Sequence, residues 1–455
     1  MSAVAARRVA FETIRAVNES DAYANLLLPT SIARAGLGSA DAGLATELTY
    51  GTLRRQGTYD AIIAIAADRP AHEIDPAVLD ALRLGVHQLL STRVASHAAV
   101  NESVELARAA AGRGAAGFAN AVLRRVSRDT PGDWMTRVAE SARSDDEQLG
   151  LLFSHPVWVV RAFRRALAAE GRADELEALL IADNASPRVT MAALPGLADV
   201  PDEARRTPFS PIGFRLGGGD PDSVVRGSGG RVRVQDEGSQ LAALALTRAL
   251  PVAAYERWLD LCAGPGGKTA VLAAEALAHG AALEANEISP ARAGLVRQAL
   301  AGVPLEVPVS EEDGRARAAN APGTYDRILV DAPCTGLGAL RRRPEARWRK
   351  APSDVPSLTE LQRELLEAAV SALKPGGVVA YVTCSPHLAE TAGVVADVRR
   401  AWGSAVEELS ARDVITSLAD ADPGLPPQAD GSGRAQLWPH RHNTDAMSVS
   451  LLRRA

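Results

Sequence analysis

The chain has 455 residues, 47% of them apolar, with a net charge of −5 and three cysteines. That length exceeds one ordinary domain, so two or three are expected, each with enough apolar material for a core. Arginines and aspartates break every apolar run before it reaches membrane-spanning length, three cysteines argue against a disulfide framework, and the slightly acidic balance gives no global nucleic-acid signal.

The first residues, Met1 to Ala10, carry Arg7 and Arg8 with no signal-peptide apolar stretch behind them, which reads as a cytoplasmic protein. Residues 1–132 read as helical. Apolar residues recur at three- and four-residue spacing in Val9-Ala10-Phe11, Ile14 and Val17, and again from Val78 to Leu90. Asp75-Pro76 is a cap and first-turn pair. Residues 133–230 form a small mixed α+β segment. It holds an amphipathic helix from Pro156 to Gly171, a strand at Arg188 to Met191, and a glycine-, aspartate- and serine-rich loop from Gly217 to Gly230. From 231 to 455 strands and helices alternate. Strands are expected at Arg257–Leu261, Ala282–Glu287, Arg327–Asp331 and Val378–Thr383. Helices are expected at Lys268–Ala278, from Pro290, and at Ser357–Leu373. Lys374 to Gly377 reads as a turn, and Ser448 to Leu452 as an added edge strand. Such alternation predicts a Rossmann-like α/β domain, a parallel sheet flanked by helices.

The three cysteines fall near the carboxyl ends of predicted strands, the edge where open α/β sheets place ligands. Cys262-Ala263-Gly264-Pro265-Gly266-Gly267-Lys268-Thr269 follows a strand and opens a helix, as a nucleotide-binding loop must. Its spacing is neither GxGxxG nor a Walker loop, which disfavours a dinucleotide or a nucleoside triphosphate. Glu287, ending the second strand, is placed for ribose hydroxyls, and Asp313, after the third, for an adenine amino group. The three loops in register point to an adenosyl cofactor. Asp331 and Cys334 in Asp-Ala-Pro-Cys, and Cys384 in Thr-Cys-Ser, bring a carboxyl and two thiols to the same edge. A thiolate adding to C6 of a pyrimidine turns the inert C5 into a nucleophile for a sulfonium methyl. The thiol must ionise first. Cys262 reads as packing within the loop. Arg341 to Lys350 holds six positive charges and one negative, next to Cys334, and is expected to hold a polyanion backbone. His440 and His442 alone are not a zinc site, and no metal is expected.

These motifs resemble those of the S-adenosyl-L-methionine-dependent RNA cytosine-C5 methyltransferases: Leu259 to Thr269, Asp331-Ala332-Pro333-Cys334-Thr335-Gly336-Leu337-Gly338, Thr383-Cys384-Ser385, and Gln235 to Gln240. Ala45 to Arg54, His97 to Glu102 and Gly117 to Arg125 resemble the NusB-like RNA-binding bundle. Together they look like the bacterial Sun/Fmu family acting on small-subunit (16S) ribosomal RNA. The resemblance implies Cys384 as nucleophile, Cys334 in product release and Asp331 on the cytosine. It implies Cys262, Ala263, Gly264, Pro265, Gly266, Gly267, Lys268, Glu287, Asp313 and Asp331 at the cofactor. Between the two thiols, the sequence itself does not choose the attacker. The family usually has Ala where Gly264 stands and Asp where Glu287 stands. The first change is expected to preserve the turn, the second to keep the ribose contact. RNA is the expected partner, without DNA or membrane, and a monomer is expected. Two alternatives stand beside this reading: a transfer-RNA cytosine-C5 methyltransferase, and a non-catalytic RNA-binding assembly or antitermination factor.

Overall fold

The computed structural model describes residues 2–20 and 22–455. The chain divides into two compact units. One holds residues up to Arg161 together with Leu180–Ala185 and Leu340–Lys350. The other holds Ala162–Leu179, Ser186–Ala339 and Ala351–Ala455.

The first unit is helical: α1 (Ser2–Glu19), α2 (Ala24–Arg34), α3 (Ser39–Arg54), α4 (Gln56–Ala67), α5 (Pro76–Ser91), α6 (Ser96–Val126, interrupted at Gly112), α7 (Pro131–Glu140) and α8 (Asp145–Phe153). The Asp75 carboxylate accepts from the N–H groups of Ala77 and Val78 at 3.0 and 3.2 Å, so the Asp-Pro pair starts α5 as its chemistry dictates. Ile14, Leu48, Ile62, Leu82, Leu123 and Trp134 are fully buried in one shared core. α9 (Val157–Ala168) and α10 (Leu176–Asp183) follow.

A four-stranded antiparallel sheet comes next, in the order β2 (Arg205–Arg206), β3 (Gly213–Arg215), β1 (Thr190–Ala193), β4 (Val232–Val234). Between β3 and β4 the chain forms α11 (Pro221–Gly227), where composition predicted only loop. Asp220 caps it, accepting from the N–H groups of Asp222 and Ser223 at 3.1 Å each, and Pro221 supplies the preset first turn. This is the Asp-Pro signature of α5, outweighed in the sequence by the surrounding glycines.

The remaining elements are α12 (Glu237–Arg248), β5 (Arg257–Asp260), α13 (Gly267–His279), β6 (Ala282–Asn286), α14 (Pro290–Leu300), β7 (Val309–Ser310), α15 (Gly314–Ala319), β8 (Tyr325–Asp331), α16 (Ala346–Arg349), α17 (Val355–Ala372), β9 (Leu373–Thr383), α18 (Val394–Trp402), β10 (Val406–Leu409), α19 (Ala411–Leu418), β11 (Ala435–Gln436), α20 (Pro439–His442) and β12 (Ser448–Arg454). They build one mixed sheet in the order β10-β12-β9-β8-β5-β6-β7, with β11 paired to β12. β7, β6, β5, β8 and β9 run parallel, while β12 is antiparallel to both its neighbours. β12 is therefore internal rather than an edge strand: Val449, Leu451 and Leu452 are fully buried and β10 covers its outer side. Lys374 to Gly377 bulge out of β9, between the Tyr325–Leu373 and Arg327–Val378 pairs. One face of the sheet packs on α12, α13, α14 and α19, the other on α15, α17 and α18. The chain leaves β5 toward β6 and β7, then returns to β8 and β9. The topological switch point therefore lies between the carboxyl ends of β5 and β8. Among the described residues, no helix is long and apolar enough to cross a membrane.

Candidate functional site

Cys262 to Gly267 turn from β5 into α13 at that switch point. A side chain at Gly264 would place its Cβ 2.3 Å from Glu287 Oε2, and the φ of Gly266 is +104°. Both positions need glycine, one for space and one for backbone conformation. The Gly264 N–H donates to Glu287 Oε2 at 3.0 Å, and the Ser289 N–H donates to Oε1 at 3.0 Å. Arg292 reaches the same carboxylate at 3.4 Å. The space an alanine methyl would need at 264 is thus filled by the longer Glu287. The expected turn is present, and the contact ties the choice of glycine at 264 to the choice of glutamate at 287.

Lys268, in the first turn of α13, donates to Asp331 Oδ2 at 2.7 Å across the switch point. Burial pulls its pKa down, but the charge and hydrogen bond of Asp331 outweigh that and hold it above the ordinary value. Asp260, ending β5, is fully buried. Its Oδ2 accepts from Thr269 Oγ1 at 2.8 Å, and its Oδ1 meets no donor among the described residues. Burial pushes its pKa up to about 7. Cys262 packs against Leu259, Leu261 and their neighbours, and burial beside Asp260 and Asp331 drives its thiol far above the ordinary range.

The other two thiols meet. Cys334 Sγ and Cys384 Sγ lie 3.5 Å apart, both free and half-buried. A hydrogen bond from Cys334 holds the Cys384 thiol below its ordinary pKa, against burial, and the Lys268 ammonium adds to this. The same pairing, with burial and the Glu390 charge, raises Cys334. Gly338 ties the two loops to the strand entry: its N–H donates to the Cys384 carbonyl at 2.8 Å and its carbonyl accepts from Ala446 at 2.9 Å. Ala446 and Met447 are buried just before β12.

Asp313 lies on the loop after β7 that Asn286, at the end of β6, holds through the Glu312 backbone. It caps α15, accepting from the Arg315 N–H at 2.9 Å, and both its oxygens are held by the Arg315 guanidinium. Three residues that sequence reading missed belong to the site: Asp260, Arg292 and the fully buried Glu390. Asp260 alone had a sequence signal, an acid ending an apolar strand ahead of a glycine loop.

The basic run beyond Cys334 is open to solvent only in part: Arg342 and Arg343 are exposed. Arg341, Glu345 and Arg347 are buried within the helical unit. Arg347, fully buried, donates to the carbonyls of Arg54, Ser154 and Asp183 and to Asn184 Oδ1. Arg349 donates to the carbonyls of Val17 and Ala22. Helix ends leave carbonyls without intrahelical partners, and a planar guanidinium satisfies several at once.

Comparison with known proteins agrees with this architecture. The family described as 16S rRNA methyltransferase RsmB/F matches residues 247–453, and the NusB family matches 4–128. "Putative methyltransferase Rv1407" of Mycobacterium tuberculosis is 49% identical, over 99% of this chain and 96% of its own. The ribosomal RNA small subunit methyltransferase B of Erwinia tasmaniensis is 32% identical, over 83% of this chain and 86% of its own. The solved structure of PH0851 has the same fold, with a TM-score of 0.79 at 21% identity, covering 99% of this chain and 98% of that one. The chain belongs to the 16S rRNA methyltransferase RsmB/F family and joins its methyltransferase domain to an N-terminal NusB-family helical domain.

Proposed function

We propose that the protein methylates C5 of a cytosine in small-subunit ribosomal RNA through a covalent bond between Cys384 and C6, using S-adenosylmethionine. The observation that carries this reading is the thiol pair at the carboxyl ends of β8 and β9, next to the switch point: two free sulfurs 3.5 Å apart, with the Lys268 ammonium in electrostatic reach of Cys384. The residues present fit the cofactor. Gly264 to Gly267 form a cradle that a Cβ would fill, the first turn of α13 presents N–H groups to a carboxylate, and Glu287 supplies the acid for ribose hydroxyls. When bound, S-adenosylmethionine supplies an electrophilic methyl carbon.

The chain's own residues do the rest. Cys384, as thiolate, adds to C6 and makes C5 electron-rich. Asp331, with one oxygen on Lys268, has the other to accept from the cytosine amino edge. The C5 proton is then lost to water as the Cys384–C6 bond breaks and Cys384 leaves as a thiolate, and the Cys334 thiol, 3.5 Å away, hydrogen-bonds that departing sulfur and so assists release. The target must be single-stranded or flipped, because a thiol cannot reach C6 inside a stack.

The small sheet adds a surface for the strand. Arg205 and Arg215 sit directly opposite each other on neighbouring strands, with Arg188 in electrostatic reach and no ion pair to any of the three among the described residues. Like charges so placed repel unless a polyanion lies over them.

The test is methyl transfer from labelled S-adenosylmethionine to unmodified small-subunit RNA by the parent, Cys384→Ala and Cys334→Ala proteins. The reading expects 5-methylcytosine from the parent, none from Cys384→Ala, and a trapped protein–RNA adduct from Cys334→Ala. Transfer to transfer RNA alone would keep the chemistry and overturn the substrate. No transfer to either RNA would overturn both.

A further inference from the structure

Glu390 is fully buried and forms no ion pair among the described residues. A buried carboxylate without a cation is costly unless every lone pair is used. Here they are used on the two cysteine loops. Oε1 accepts from the Thr335 N–H at 2.7 Å and from Gln362 Nε2 at 3.2 Å. Oε2 accepts from the hydroxyls of Thr335 and Ser385 at 2.6 Å each. Those two hydroxyls also touch each other at 3.0 Å. Thr335 follows Cys334, and Ser385 follows Cys384. Gln362 of α17 closes the arrangement by donating to the Pro333 carbonyl at 2.7 Å. Glu390 itself sits in a π-helical turn, Ala389–Gly393, a widened turn of the kind that often marks functional sites.

We propose that Glu390 is a positioning residue: through Thr335 and Ser385 it clamps the Cys334 and Cys384 loops together, so that the two sulfurs stay within hydrogen-bond distance of each other. Neither the carboxylate nor its clamp needs to touch RNA or cofactor. Three features make this more than loop packing. The clamp joins the residues immediately following both thiols, so any slackening changes the 3.5 Å separation directly. The four donors to Glu390 are neutral, and the Glu390 carboxyl raises Cys334. The opposing charge, Lys268, falls on Cys384. Asp331 and Asp445 raise Cys384, the Gly336 N–H acts on Cys334, Tyr381 faces Cys334 and Glu390, and His387 faces Glu390. The clamp therefore holds the thiol pairing on which the ionisation of Cys384 depends. The inference rests on Cys384 being the nucleophile, but its test needs neither RNA nor methyl transfer.

The experiment is iodoacetamide alkylation of the full-length protein across pH, with Cys384 and Cys334 read separately by peptide mass spectrometry. The variants are Glu390→Gln, Thr335→Val and Thr335→Ser. The clamp predicts that Glu390→Gln and Thr335→Val slow Cys384 alkylation at pH 7 about tenfold, moving its midpoint up by about one pH unit. Thr335→Ser, which keeps the hydroxyl, should follow the parent. S-adenosylmethionine affinity should stay within about twofold, since the clamp lies behind the thiols. A Cys384 profile in Glu390→Gln and Thr335→Val that overlays the parent overturns the proposal, even if those proteins melt earlier. Should Glu390→Gln not fold, the contrast between Thr335→Val and Thr335→Ser decides alone. A parent that alkylates normally but methylates no RNA would overturn the proposed function and leave the clamp standing.

Discussion

Replacing Gly264 by alanine tests the cofactor cradle most directly. The new Cβ would lie 2.3 Å from Glu287 Oε2 and 2.8 Å from Arg292 Nε. A carbon and an oxygen need roughly 1 Å more than that, so the Glu287 carboxylate must swing away. It then gives up the Gly264 N–H bond, now 3.0 Å, and its place at the end of β6. A hydrogen bond to a charged group is worth about 1.5–3 kcal/mol, so S-adenosylmethionine affinity should fall roughly ten- to hundredfold if Glu287 holds the ribose. Glu287→Asp in the same chain draws the carboxylate back by one methylene and makes room for the methyl. The double variant should therefore bind more tightly than Gly264→Ala alone, with a coupling of about 1–2 kcal/mol. Calorimetric titration of the parent, both single variants and the double variant gives the cycle, with thermal melts to confirm folding. Affinity of Gly264→Ala within twofold of the parent, or strict additivity across the cycle, would refute the argument.

The other predictions concern charge and burial. Asp260 has its pKa raised by burial to about 7, from 3.8 in an unfolded chain. Its burial costs nothing below the unfolded value, the cost grows as pH rises toward 7, and it is constant above. Asp260→Asn should therefore stabilise the protein more at pH 8 than at pH 5, by about 2 kcal/mol, in paired denaturant titrations; an equal effect at both pH values would sink the assignment. Removing Arg347, as Arg347→Met, strands the four acceptors it serves and should cost about 3 kcal/mol or more in chemical denaturation. An unchanged midpoint would contradict its structural role. Arg205→Ala with Arg215→Ala should reduce the salt slope of RNA binding by roughly 2, read by filter binding at several ionic strengths, whereas an unchanged slope would move the RNA elsewhere.

What the sequence disclosed was what local rules govern. Alternating apolar strands and capped helices gave the parallel core of the sheet, because side-chain period and capping act over a few residues. The glycine loop, Asp331 and both distant thiols could be placed on one edge because each ends a strand of one sheet. The rest was decided by partners far along the chain. β12 reads as an edge strand until β10, some forty residues earlier, covers it. Arg347 looks like part of a solvated basic run, yet it is satisfied by carbonyls as distant as Arg54. Glu390, in Ala-Glu-Thr-Ala-Gly, has the look of an ordinary helix-surface acid. Only the folded chain brings Thr335 and Ser385 onto it.

The site also answers a question the motifs leave open, why a thiolate should form in a pocket lined by acids. Asp331 is paired with Lys268, Glu287 is tied to Gly264 and Arg292, and Asp260 is half-protonated near neutral pH. The field left at the two sulfurs is uneven: Lys268 favours charge on Cys384, and Glu390 opposes it on Cys334. Two cysteines that end neighbouring strands thus become different reagents through what packs behind each. Lys268→Met tests this from the other side. It removes the favourable charge and also leaves Asp331 as an uncompensated negative one near Cys384. Both changes raise the thiol, so alkylation of Cys384 at pH 7 should slow at least roughly tenfold. Cys334, whose opposing charge is Glu390, should gain rather than lose in relative reactivity. If Cys384 keeps its parental pH profile without Lys268, then the lysine serves only the cofactor or Asp331, and the choice of nucleophile must come from the RNA.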